Sequence, residues 1–180
     1  CLNNLAAFYE TQEQYSKAKI LYYQALKLMK ILQGENHPDY ALALNNLGHL
    51  YILLELHTEA ESLLTKALEI RTSLYGENHP DVAQSLNNLG FCYCAKGHWN
   101  KAKPILQKAL DLRKLLLREK HPDIATSLNN LAILYKNIGF HSEAKSLFLE
   151  GLKILKLTLG QNHSRTRIFQ ENYEIFLSDY

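Results

Sequence analysis

The sequence lacks the features that mark several large classes of protein. Its 180 residues contain only three cysteines and four prolines, and no apolar run approaches the roughly 18–20 residues that cross a bilayer. An odd number of cysteines without a secretory signal indicates a reducing compartment, so we expect a cytoplasmic protein with no membrane partner. Twenty basic and 18 acidic residues nearly balance, so we expect no nucleic-acid partner either.

The chain also lacks a residue pattern suited to a metal or catalytic site. Cys92 and Cys94 stand at positions i and i+2, which point to different sides of a helix, and no second cysteine pair completes a zinc site. There is no glycine-rich phosphate loop, and Ser, His and Asp recur at repeat-equivalent positions with structural roles. We therefore expect no catalytic residues, no cofactor and no metal.

What the sequence does contain is one phrase that returns every 42 residues. Leu-Asn-Asn-Leu begins at Leu2, Leu44, Leu86 and Leu128, and His-Pro-Asp begins at His37, His79 and His121, with a degenerate copy at His163. A period between 20 and 50 residues is typical of a solenoid, in which each unit buries its apolar face against its neighbours. The prediction is a single array over 1–180, with repeats at about 1–37, 38–79, 80–121 and 122–163 and a terminal capping or truncated helix at 164–180.

Each repeat has the pattern of two helices joined by a tight turn. In the third repeat, Leu86, Leu89, Gly90 and Tyr93 follow helical spacing, Gly97 interrupts it, and a second apolar series follows. The first helices are predicted near 1–12, 38–54, 80–96, 122–138 and 164–179, and the second near 15–33, 57–75, 99–117 and 141–159. In the last helix, an aromatic stripe is predicted to pack as core: Phe169, Tyr173, Phe176 and Tyr180.

The connectors between repeats combine a helix stop with a helix start. Gly76 follows a second helix, and His79-Pro80-Asp81 precedes the next first helix. Glycine suits the left-handed position beyond a helix end, and proline suits the first helical turn. The repeated histidines are therefore predicted to be helix-entry residues and not metal ligands.

The spacing Leu-x-x-Leu-(Gly/Ala)-x-x-Tyr, followed by Ala and then an aromatic residue or Leu, is similar to the tetratricopeptide signature. With 42 residues per repeat and a Gly-x-Asn-His-Pro-Asp connector, the chain resembles the kinesin light chain type of tetratricopeptide repeat. The resemblance implies an all-α fold, a right-handed superhelical solenoid of stacked helix-turn-helix repeats with the first helices on its concave face. It also implies a non-catalytic protein-protein interaction scaffold that binds an extended peptide or a partner helix in the concave groove.

The repeated asparagines are the main candidates for binding in that groove. Each amide offers one acceptor and two donors, so it can bind a peptide backbone whatever its sequence. Asparagine is also a poor residue for a helix interior, and its recurrence needs a cause. The alternative is that the amides bridge adjacent helices. The second Asn of each phrase forms the predicted ladder: Asn4, Asn46, Asn88, Asn130 and the matching Asn172.

Selectivity is expected from positions that differ between repeats, because identical amides cannot choose a register. These positions are His49, Gln84, Phe91, Thr126, Ile133, Lys136 and Asn137. The secondary candidates are Gln84, Thr126 and Lys136 from this set, together with the first Asn of three phrases: Asn45, Asn87 and Asn129. Simple solvent exposure is the alternative for Lys136. Arg71 and Arg113 recur at one position of the second helix and are expected on a solvated face.

Other functions fit parts of the pattern. One alternative is an RNA-binding helical repeat, since some helical repeats bind one base per unit. Another is the interaction arm of a larger signalling enzyme. Self-association through uncapped ends is a further expectation, because a truncated solenoid exposes apolar surface.

Overall fold

The structure is a computed structural model that describes residues 2–179. Within them it forms nine α-helices and no strand: α1 Leu2–Thr11, α2 Tyr15–Gln33, α3 Pro38–Leu53, α4 His57–Tyr75, α5 Pro80–Ala95, α6 Trp99–Leu116, α7 Pro122–Asn137, α8 His141–Thr158 and α9 Ser164–Ser178. The odd-numbered helices are the predicted first helices and the even-numbered ones the predicted second helices. Each predicted boundary lies within about two residues of the structural one.

The helices stack in chain order and curve towards the first helices. Every helix packs on the next, and α1, α3, α5 and α7 also touch one another in sequence. Among the described residues, the second helices make no comparable contact with each other. The first helices therefore lie on the inner side of the curve, and the predicted all-α solenoid of helix pairs is confirmed.

Each connector starts the next first helix with a histidine cap. The Nδ1 of His37 accepts a hydrogen bond from the backbone N–H of Asp39 at 3.2 Å, and His79, His121 and His163 cap α5, α7 and α9 in the same way. Because the cap satisfies one of the free N–H groups of the first turn, these side chains have a structural role. The predicted helix-entry role is confirmed.

The turn inside each repeat contains one residue in the left-handed conformation. Glu13 and Glu55 adopt φ of 57° and 60°, and the equivalent Gly97 and Gly139 adopt 70° and 83°. A residue with a Cβ is strained in this region, whereas glycine is not. The first two repeats therefore carry strain that the last two avoid.

We expect Glu55→Gly to raise the free energy of unfolding by about 0.5–1 kcal/mol, because relief of the left-handed strain exceeds the added chain entropy. Urea denaturation followed by circular dichroism measures the change. Gly97→Ala is the matched control and should lower the free energy of unfolding by a similar amount. A lower stability for Glu55→Gly would show that the carboxylate side chain makes a favourable contribution of its own.

Small residues let the two helices of a repeat approach closely. A Cβ on Gly90 would lie 2.6 Å from Cγ of Leu106, and one on Gly48 would lie 2.7 Å from Cγ of Leu64. Both distances are far below van der Waals contact, so these positions hold the first helix against the second.

The expected solvated face for Arg71 and Arg113 is wrong. Their exposed fractions are only 2% and 6%. Arg71 Nη1 donates to the carbonyl of Asp81 and the hydroxyl of Ser85, both at 2.9 Å. Burial is the main cause of the lowered pKa of each guanidinium. Each arginine therefore ties a second helix to the start of the next first helix.

The last helix packs through its aromatic stripe. Phe148 of α8 is buried, and its ring centroid lies 5.9 Å from Phe169, 5.7 Å from Tyr173 and 5.5 Å from Phe176. The predicted core role of these α9 rings is confirmed, while Tyr180 lies outside the described residues. The α9 positions equivalent to Ala83, Leu86 and Gly90 of α5 are polar: Arg167, Gln170 and Glu174. The face equivalent to the one that receives a second helix in α5 is therefore hydrophilic.

The two described cysteines are buried and free. Burial raises the pKa of Cys92 to about 11 and that of Cys94 to about 12, so both thiols are protonated at neutral pH. Across residues 2–179, no three His, Cys, Asp or Glu side chains are grouped as a metal ion would require. Over the same residues, no helix is both long and apolar enough to cross a membrane.

Candidate functional site

The concave face carries two hollows that meet at His49, Gln84 and Asn88 and form one groove. The N-terminal hollow has a volume of about 280 Å³ and lies between α1, α2, α3 and α5. The C-terminal hollow has a volume of about 570 Å³ and extends from α3 to α9. Together the hollows run along the inner curve of the array and are open to solvent.

Most of the predicted site residues line this groove. From the predicted ladder and its neighbours these are Asn46, His49, Asn88 and Asn172, and from the secondary set Asn45, Gln84, Asn87, Thr126 and Asn129. Asn45 and Asn87 are almost fully buried and form its floor, whereas Asn46, Asn88 and Asn172 are half-buried. The groove therefore offers rows of amides at two depths.

The remaining predicted residues do not line the hollows. Phe91 and Ile133 are half-buried and pack against the hydrophobic core. Lys136 forms an ion pair with Asp179 at 2.6 Å, so it is neither a groove cation lining the hollows nor simply solvated. The Nδ2 of Asn137 donates to the carbonyl of Ile133 in its own helix at 2.7 Å. Two ladder positions also lie outside the hollows, one exposed and one buried: Asn4 and Asn130.

The amides also connect neighbouring repeats. Asn88 Nδ2 donates to Asn45 Oδ1 at 3.3 Å, and Asn172 Nδ2 donates to Asn129 Oδ1 at 3.2 Å. Each bond joins the second Asn of one phrase to the first Asn of the preceding phrase. The bridging alternative is therefore correct for these pairs. A carbonyl and one N–H remain on each donor amide for a ligand, so bridging and binding are compatible.

A buried arginine supports the amide floor at the junction of α5 and α7. Arg113 Nη1 donates to the hydroxyl of Ser127 at 2.8 Å, and that hydroxyl donates to Asn87 Oδ1 at 3.1 Å. The chain of hydrogen bonds runs from a second helix to the floor of the groove. Since every member is buried, the arrangement holds the Asn87 amide in a defined orientation.

A carboxylate marks the α1 end of the groove. Glu10 Oε1 lies 2.8 Å from His49 Nδ1, and Glu10 Oε2 accepts a hydrogen bond from the Tyr22 hydroxyl at 3.0 Å. Burial is the largest cause of the raised pKa of Tyr22, and the charge and hydrogen bond of Glu10 add to it. These contacts hold the Glu10 carboxylate beside His49, next to the amide ladder.

A guanidinium marks the α9 end. Arg165 Nη2 donates to Thr126 Oγ1 at 2.7 Å, to Asp123 Oδ1 at 3.0 Å and to the carbonyl of Pro122 at 3.2 Å. Arg113 lies in the wall of the same hollow. The pKa of Arg113 is lowered to about 10, mainly by burial, and the charge of Arg165 contributes to the decrease. Two cations therefore face one carboxylate at this end.

The repeated motifs do not identify Glu10 and Arg165, because neither residue recurs in the other repeats. Glu10 occupies a position that is Ile52 and Cys94 in the next repeats, and Arg165 stands where the intact phrases have Asp. Both are departures from the repeat. Such residues could be identified in the sequence as positions of the concave face that differ from the repeat.

The geometry agrees with the comparison with protein families. A tetratricopeptide repeat model matches residues 1–71, 41–115 and 81–156, which together cover most of the sequence. The chain belongs to the tetratricopeptide repeat family. A comparison with curated proteins finds no significant match.

Solved structures place this tetratricopeptide array with kinesin light chain-like repeats. BtubC (BKLC) from P. vanneervenii is 27% identical with a TM-score of 0.73; the match covers 91% of this chain and 65% of that one, less than two thirds. Two structures of a kinesin light chain from Podospora anserina with nearly identical TPR-like repeats, one of them carrying a single substitution, are 24% identical with the same TM-score. That match covers 98% of this chain and 84% of theirs.

At 24% identity, the Podospora structures support the fold alone. Membership of the tetratricopeptide repeat family supports a protein-interaction scaffold, the general role of these arrays. The binding surface itself is inferred from the geometry of the groove.

Proposed function

We propose that this tetratricopeptide array is a non-catalytic scaffold that binds an extended peptide segment of a partner protein along its concave groove. The observation that carries the proposal is the continuity of the groove from α1 to α9 with half-buried amides along its length. Amides that keep free donors and acceptors can pair with a peptide backbone as a neighbouring strand would.

The dimensions suit an extended chain better than a globular surface. Neighbouring helices pack about 8–10 Å apart, and an extended peptide advances about 3.3 Å per residue. One first helix therefore meets roughly every third residue of the ligand. The similar BtubC is longer than this chain, so we also propose that flanking segments could contribute to partner choice.

Asn46→Ala combined with Asn88→Ala is expected to weaken peptide binding at least about fivefold, because each lost amide contact is worth about 0.5–1.5 kcal/mol. The probe is a peptide selected on the wild-type array from a random display library, and fluorescence anisotropy measures its Kd. The free energy of unfolding should fall by only about 1 kcal/mol, since Asn45 loses one hydrogen bond.

Asn137→Ala is the matched control, because this amide lies on a first helix but outside both hollows. It should leave the Kd unchanged. Equal Kd values for the double variant and the wild type, with both proteins folded by circular dichroism, would exclude the groove as the binding surface.

A further inference from the structure

The two ends of the groove differ in charge. Glu10 supplies a carboxylate to the N-terminal hollow, and among residues 2–179 no lysine or arginine lines that hollow. The C-terminal hollow holds Arg113 and Arg165 against the single carboxylate of Asp123. Counted over Asp, Glu, Lys and Arg side chains, the N-terminal hollow has a net charge of −1 and the C-terminal hollow a net charge of +1.

The carboxylate at the α1 end is placed to accept a cation. The exposed fraction of the Glu10 side chain is 15%, so its charge is only partly screened by water. His49 and Tyr22 occupy one position on each oxygen, and an ionised carboxylate has about four lone-pair sites. An ammonium or guanidinium in the hollow can therefore bind without displacing either partner.

The guanidinium at the α9 end keeps free donors. All the side-chain hydrogen bonds that Arg165 makes to described residues use Nη2. A guanidinium carries five N–H groups in a planar fork, so Nη1 and Nε remain available for a carboxylate. The exposed fraction of the Arg165 side chain is 41% and the residue lines the C-terminal hollow, so the side chain is partly open to the groove.

The residues between the two ends are neutral. The amides carry no charge, and Leu53 and Ile168 have exposed fractions of 39% and 57%. From α1 to α9 the first helices advance four steps of about 8–10 Å, or about 32–40 Å, which corresponds to about 10–12 extended residues. The two charged ends are therefore too far apart to bind one side chain.

We propose that the groove selects a bipolar peptide segment, with a Lys or Arg side chain at the Glu10 end and an Asp or Glu side chain at the Arg165 end, about 10–12 residues apart. This inference rests on the proposed function, since it specifies the ligand of the same groove. The opposite charges also set the direction in which a given segment lies, which the repeated amides alone cannot do.

The test selects random 16-residue display peptides that bind the 180-residue array. Only peptides that lose binding to the double variant Asn46→Ala, Asn88→Ala are kept. We expect these peptides to be enriched in Lys or Arg near one end and in Asp or Glu about 10–12 positions away. For one such peptide, Glu10→Gln and Arg165→Gln should each raise the Kd about three- to tenfold. Higher salt should weaken the wild-type interaction more than that of either variant.

Matched controls separate charge in the groove from charge elsewhere. Glu13→Gln and Arg167→Gln remove the same charges from residues that do not line the groove, and should leave the Kd within about twofold. In a double-mutant cycle, replacing the Lys or Arg of the peptide by Ala should leave the Kd of the Glu10→Gln variant for that peptide unchanged. Arg165→Lys keeps the charge but not the planar fork, so it should recover part of the affinity that Arg165→Gln loses.

The two proposals fail in different ways. The bipolar ligand is overturned if the groove-dependent peptides lack the paired charges. It is also overturned if Glu10→Gln and Arg165→Gln leave the Kd unchanged. Either result leaves the scaffold function standing. Peptides that bind the array equally well with and without Asn46 and Asn88 would overturn the groove function itself.

Discussion

Phe148→Ala is expected to lower the free energy of unfolding by about 3–5 kcal/mol, the usual cost of deleting a fully buried aromatic side chain. Its ring contacts Phe169, Tyr173 and Phe176, which are residues that hold α9 to α8. Because all three α9 rings meet at this one side chain, α9 should lose its protection first. Urea denaturation gives the free energy, and hydrogen exchange resolved by segment gives the order of opening.

The neighbouring Leu149 is about half exposed and supplies the control. Leu149→Ala should change the free energy of unfolding by less than about 0.5 kcal/mol. A loss below about 1 kcal/mol for Phe148→Ala, or uniform loss of protection along the array, would contradict the view that one cluster anchors the last helix.

The second large effect is expected at Arg113, where replacement by Ala should cost about 2–4 kcal/mol. The change creates a cavity and removes the donor that pairs with the carbonyl of Asp123 at 2.7 Å and with Ser127 at 2.8 Å. Loss of a buried charge offsets part of this cost. Thermal and urea unfolding of the variant and the wild type measure the difference.

Arg113→Met separates packing from hydrogen bonding, because methionine fills much of the same volume without charge or donors. If packing dominates, Met should recover more than half of the stability that Ala loses. A free energy of unfolding for Arg113→Ala within about 0.5 kcal/mol of wild type would show that the buried guanidinium does not hold the two repeats together.

The helices could be predicted from the sequence because their signals are local and repeated. Gly76 ends one helix, and His79 with the following Pro80 and Asp81 starts the next, so spacing alone places the boundary. The same signals recur in each repeat. A helix boundary that is ambiguous in one repeat is therefore fixed by the equivalent residues of the others.

The buried arginines could not be placed in this way. A helical pattern assigns Arg71 to a face of α4, but whether that face meets water depends on how the next repeat lies over it. The carbonyl of Asp81 and the hydroxyl of Ser85 that satisfy the guanidinium belong to that next repeat. Periodicity within one helix contains no information about such partners.

The groove was predictable only in its repeated part. Asn46, Asn88 and Asn172 line the hollows as the phrase predicts, whereas Asn4 and Asn130, at the same position of the phrase, lie outside them. Phe91 and Ile133 were placed beside them by spacing alone, but packing against the core draws both away from the hollows. Their role in binding stays a prediction.

The hydrogen bonds from Asn88 to Asn45 and from Asn172 to Asn129 give the array a mechanical property. Each bond joins the first helices of neighbouring repeats on the inner side of the curve. It therefore limits how far the two repeats can spread apart. The curvature of the array depends in part on these two amide links.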